Sequence, residues 1–159
     1  MGLKETLEEM QKGADRERRK REEAPEKLAE WVAVIGALYA QVKEFLAEHK
    51  LLGFASKAVH VREEHLGGDY EIDGLLIFAP GNEEDHPVAV ALYPAASSRM
   101  TSSGVVDMFR TDRPSHKIQL YRLPDPTTQK LEWHIGQSGN RKLLTKSSLE
   151  AELDTMLRL

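Results

Sequence analysis

Between Pro25 and Lys50 apolar residues recur at Leu28, Trp31, Val32, Ile35, Leu38, Tyr39, Val42, Phe45 and Leu46. The steps alternate between three and four, which places these side chains on one stripe of a helix. Pro25 suits a first helical turn, where its missing N–H costs nothing, and Gly53 suits a stop. Beyond Gly53 the period changes to two. Ala58–Arg62 reads as a strand, Leu66–Asp69 as a tight turn whose adjacent glycines supply positive φ angles, and Tyr70–Phe78 as the returning strand. Val88–Tyr93 is almost wholly apolar and predicts a central strand buried on both faces. Val105–Phe109, Ile118–Leu123 and Leu131–Ile135 complete a set of about six strands, and Pro124–Thr128 carries turn chemistry.

A final helix is predicted from Ser147. There Ser147-Ser148-Leu149-Glu150 matches a capping box, and Leu149, Leu153, Met156 and Leu157 form a buried stripe. Links of hairpin length cannot cross over between parallel neighbours, so the sheet is expected to be mainly antiparallel. The fold class is therefore α+β: a long N-terminal amphipathic helix packed on a mainly antiparallel sheet, with a short C-terminal helix. Residues 25–159 are expected to form one domain, preceded by a charged helical extension or linker over residues 1–24.

That extension changes the functional picture. Leu3, Leu7 and Met10 give it one thin apolar edge, and the mixed-sign run Asp15–Glu23 follows with no apolar face at all. An edge so thin does not hold a lone helix together in water, so it is expected to dock on another protein or on a second copy of the chain.

The chain is 159 residues long, 40% apolar and 30% charged, with a net charge of −4 and no cysteine. Disulfides, thiolate zinc sites and cysteine nucleophiles are excluded, and a reducing cytoplasmic location is the expectation. The longest apolar run, Trp31–Ala40, is half the roughly 20 residues needed to span a bilayer, so no membrane association is expected.

The charge is unevenly spread. Residues 58–93 set one cation, Arg62, against eight carboxylates, a net of −7, whereas residues 94–146 set nine cations against four carboxylates, a net of +5. Arg99, Arg110, Arg113, Lys117, Arg141 and Lys142 of the basic half are candidate contacts for nucleic-acid phosphates. Stacking aromatics are scarce there.

Asp69, Glu71 and Asp73 alternate along one strand and share a face, an arrangement able to hold a divalent cation. The string Glu71-Ile72-Asp73-Gly74-Leu75-Leu76-Ile77 resembles one strand of restriction-type nucleases. In that family the next strand carries an acid–any–lysine triplet, and Val88–Tyr93 has neither residue. The six histidines lack the paired spacing of zinc helices or fingers, no Gly-x-Ser-x-Gly elbow surrounds a serine, and no glycine-rich phosphate loop is present. With no catalytic set and no cofactor motif, the expected role is a non-catalytic protein-binding accessory, adaptor or inhibitor subunit. A nucleic-acid-associated subunit is the alternative, and a metal-dependent hydrolase using Asp69, Glu71 and Asp73 is a third.

Overall fold

The computed structural model describes residues 2–81, 86–98, 102–137 and 139–159. A single helix, α1 (Leu3–Phe45), runs for 43 residues. It is followed by seven strands: β1 (Gly53–Glu63), β2 (Gly68–Ala79), β3 (Val88–Ala96), β4 (Val105–Arg110), β5 (Arg113–Pro124), β6 (Leu131–Gln137) and β7 (Asn140–Leu143). A second helix, α2 (Lys146–Leu157), closes the chain. The strands form one sheet in sequential order, β1 to β7, and every neighbouring pair is antiparallel. The α+β architecture is the one the periodicity implies, with seven strands rather than six. The extra strand escapes sequence pattern because Asn140-Arg141-Lys142-Leu143 is a sheet edge, exposed at all four positions, with no alternation to read.

The register aligns one apolar face across the sheet. Leu75 pairs with Leu92 and Leu92 with Met108, while Val106 pairs with Leu120 and Leu120 with Ile135. Onto this face α1 lays Trp31, Ile35, Leu38, Tyr39, Val42 and Leu46, and α2 adds Leu149, Leu153 and Met156. Both helices therefore share one core on one side of the sheet. Among the described residues no helix lies on the opposite side. There Ala91 is sheltered among Leu76, Tyr93 and Phe109, whose two rings meet edge to face at 5.2 Å. Val88–Tyr93 is thus buried on both faces as expected: no residue of β3 is exposed, and Val90, Ala91 and Leu92 are fully buried, Ala91 by its small and aromatic neighbours rather than by a helix.

In β2 the buried set shifts by one, from Tyr70 and Ile72 to Leu75, Ile77 and Ala79. The cause is topological. The β2–β3 ladder begins only at Leu75–Leu92, so the earlier half of β2 pairs with β1 alone and diverges from β3. Tyr39 closes the fork: its hydroxyl lies 2.8 Å from the Asp73 carbonyl and 3.2 Å from that of Leu92.

Two helix boundaries differ from expectation. Pro25 does not start α1 but sits inside it. The carbonyl of Arg21, which loses its partner to the missing N–H, lies on an exposed residue where water can replace the bond. In α2 the N-cap is Thr145, whose side chain accepts from the Ser148 amide at 3.1 Å while Ser148 Oγ accepts from the Thr145 amide at 2.8 Å. Two cap-forming residues lie two apart here, and the earlier one starts the helix.

The β1–β2 hairpin turns through one turn of 3-10 helix, Glu64–Leu66, and then Gly67 and Gly68 at φ of 96° and 98°. Leu66 from this turn is buried in the core shared with α1. A β-carbon added at Gly67 would lie 3.8 Å from that of Ala24, the first buried residue along α1.

Candidate functional site

From Leu3 to Glu23 no residue of α1 is buried. At about 1.5 Å per residue this free portion extends roughly 30 Å from the body. Leu3, Leu7 and Met10 are 75, 54 and 65% exposed. Their i, i+4, i+7 spacing puts them on one stripe, and Glu5, Glu8 and Glu9 fall on the other side of the helix. The charged run beyond it is laced by local pairs, including Arg18–Asp15 at 3.1 Å and Lys27–Glu23 at 3.4 Å. Such exposed pairs support helicity by only about 0.3–0.5 kcal/mol each. The arm therefore owes little of its stability to tertiary contact.

A second feature forms where the hairpin tip meets the end of β3. Glu63, whose side chain is 8% exposed, accepts from the Ser97 amide at 2.9 Å, from Ser97 Oγ at 3.0 Å and from the Tyr70 hydroxyl at 2.6 Å. His65 Nε2 lies 2.8 Å from Ser97 Oγ and 3.6 Å from Glu63. Serine, histidine and acid are thus together, but not as a nucleophilic relay. In a relay the acid holds the imidazole nitrogen remote from the serine, leaving the near one to take its proton. Here acid and serine crowd the same Nε2, and the Ser97 proton already has a carboxylate acceptor. The cluster fastens the end of β3 to the hairpin. Burial, then the Glu63 hydrogen bond and charge, pushes the Tyr70 phenol well above its ordinary range. Trp31 Nε1–H approaches that phenol without reaching hydrogen-bond geometry and is buried with no partner among the described residues.

Beside this cluster is a cleft of ≈ 620 Å³. Its walls include Lys27, Trp31 and Val34 of α1, Leu66, Ser97 and Ser98, Ser103, and Arg122 of β5.

The basic residues expected to contact phosphate are distributed over both sides of the sheet. Arg110 is only 12% exposed at its side chain and is engaged by Asp112 at 2.7 Å and by the Leu159 carbonyl at 2.9 Å. Lys117 pairs with Asp107 at 3.7 Å, and Arg141 lies over the Tyr121 ring at 4.5 Å, both on the helix-free side. Lys142 pairs with Ile135, placing it on the opposite side, and Arg113 is exposed at the start of β5. Arg99 lies outside the described residues.

Asp69, Glu71 and Asp73 share the exposed parity of early β2, and Glu71 lies 3.7 Å from His60 across the hairpin. Among the described residues the one group with metal-ligand spacing is another: Glu48, His49 and Glu150, brought together by the end of α1 and the start of α2. Sequence spacing gives no sign of it. Lys146 Nζ bonds the Glu48 carboxylate and lies 3.9 Å from Glu150, so the chain supplies its own cation there. The same contact lowers the pKa of Glu48 and raises that of Lys146.

Among the described residues no helix is long and apolar enough to cross a membrane. Comparison with protein-family models, curated proteins and solved structures gives no match.

Proposed function

We propose that the chain is a non-catalytic protein-binding accessory subunit, whose docking element is the free portion of α1. The observation that carries this reading is an apolar stripe, Leu3–Leu7–Met10, held exposed on a portion of α1 in which no residue is buried. Interfaces made by a lone helix use such i, i+4, i+7 anchors, seated in a groove of the partner.

Magnitude favours a groove over a matching helix. The stripe is some 12 residues long with Ala14, about 18 Å at 1.5 Å per residue. Two such stripes zipped together fall well short of the roughly 800 Å² per partner of a stable complex. A concave partner surface encloses the helix on more sides and supplies the difference.

The test is deletion of residues 2–22. The deleted chain should keep the far-ultraviolet spectrum expected of its remaining helices and sheet, and lose partner capture or show a lower sedimenting mass. Unchanged sedimentation and an unchanged set of co-purifying proteins would refute the reading. The basic residues keep a nucleic-acid role as the second proposal, with less support because they occupy both sides of the sheet. Absence of any gel shift at low salt would end it.

A further inference from the structure

The cleft beside the Glu63–Ser97 cluster contains an uncompensated cation. By register Arg122 pairs with Trp133, and it therefore projects on the helix side of β5. It is half-buried, yet its guanidinium makes no hydrogen bond or ion pair with any described residue. Other arginines of the sheet are engaged: Arg62 by Glu64, Arg110 by Asp112 and Arg141 by the Tyr121 ring, while Arg113 is exposed to water at the start of β5. Loss of water around Arg122 lowers its pKa, with no neighbouring charge offsetting the effect. Partial burial of a guanidinium without a counterion is unfavourable, and the same environment strengthens its attraction for an anion.

The surroundings are those of a binding site. Ser98 and Ser103 add hydroxyls, Lys27 adds a second cation, and Trp31, Leu66 and Leu131 supply an apolar wall. The volume, ≈ 620 Å³, lies within the range of small-molecule pockets, roughly 300–1,000 Å³. The walls are held firmly. Ser97 is tied to Glu63, and a β-carbon at Gly104 would lie 2.8 Å from the Trp31 ring, so the indole rests directly on backbone. Two carboxylates are close by. Glu30 stands on the cleft wall, while Glu63 is occupied by Ser97 and Tyr70.

We propose that this cleft binds a small amphipathic anion, with its carboxylate or phosphate on Arg122 and the serine hydroxyls and its apolar body against Trp31, Leu66 and Leu131. The inference is independent of the helical arm and of the protein-binding role, since none of the cleft residues lies on the free portion of α1.

The test is a titration of the full chain with octanoate, octyl phosphate and octanol, followed by tryptophan fluorescence and by calorimetry. At least one of the two anions should saturate a single site, and the preferred one identifies the head group. Octanol should bind at least about tenfold more weakly, which corresponds to the roughly 1.4 kcal/mol expected of one charge-assisted contact. Arg122→Gln should weaken the anion at least tenfold while Arg122→Lys recovers part of the loss. Val34→Trp, which fills the cleft but keeps the arginine, should also abolish binding. The proposal is overturned if neither anion saturates, if octanol binds as tightly as the anions, or if Arg122→Gln or Val34→Trp chains, folded by circular dichroism, bind like the parent.

Discussion

Tyr39 is the residue on which the sheet's geometry turns. Its hydroxyl serves two carbonyls at the point where β2 and β3 part, and burial, then the nearby Asp73 charge, raises its pKa well above the ordinary phenol value. Tyr39→Phe would leave those acceptors unserved, and we expect a loss of about 1–3 kcal/mol in urea unfolding. The pH dependence follows from the same shift. The unfolded chain releases phenol protons above about pH 10 while the folded chain keeps those of Tyr39 and Tyr70. Stability should therefore be fully present below about pH 10 and fall as the pH rises further. Removing either phenol should flatten that alkaline decline in denaturation curves measured from pH 8 to 12. Gly104→Ala would drive a methyl group into the Trp31 ring, where the nearest atom is 2.8 Å from the added carbon. A cost of about 1–3 kcal/mol is expected, with a shift in tryptophan emission.

At the scale of elements, α1 is one helix with two regimes. Ala24 is the first position with buried contacts, and Trp31 to Leu46 are clamped by the core. Hydrogen exchange should therefore change along a single uninterrupted helix. Amides before Ala24 should exchange quickly, because a helix of about 20 residues without tertiary packing is marginal in water. Those from Trp31 to Val42 should exchange only through global unfolding. Uniform protection along the whole of α1 in the isolated protein would mean that the arm is packed against something. Pro25→Ala, which restores a helical N–H, should raise protection in residues 15–24 and leave the rest unchanged.

For the whole molecule, sequential strand order has an electrostatic consequence. Because β1 to β7 lie side by side in chain order, the carboxylates Asp69, Glu71 and Asp73 of β2 and the cations Arg113, Lys117, Arg141 and Lys142 of β5 and β7 lie in different halves of the sheet. Separated charges of this kind help to orient a charged partner even where the net charge is only −4. The core also draws on no residue before Ala24. Deleting residues 2–22 should move the melting temperature by no more than about 2 °C, since exposed sites away from specific contacts change stability by within about 0.5 kcal/mol.

The sequence by itself determined the amphipathic stripe of α1, most strand positions, the glycine turn at 67–68 and the α+β class, because each rests on local periodicity or on backbone conformations that few residues adopt. The arm's exposed edge was legible for the same reason: Leu3, Leu7 and Met10 recur among residues that are mostly charged or polar. The tertiary structure alone decided which side of the sheet the helices cover, how Tyr39 closes the fork between β2 and β3, and that Arg110 is engaged internally while Arg122 is not. It alone brought Glu63 to Ser97 and Glu48 to Glu150, residues 34 and 102 positions apart in the chain. Such contacts depend on how a twisted sheet and two helices meet, and a one-dimensional pattern carries no record of distances between elements.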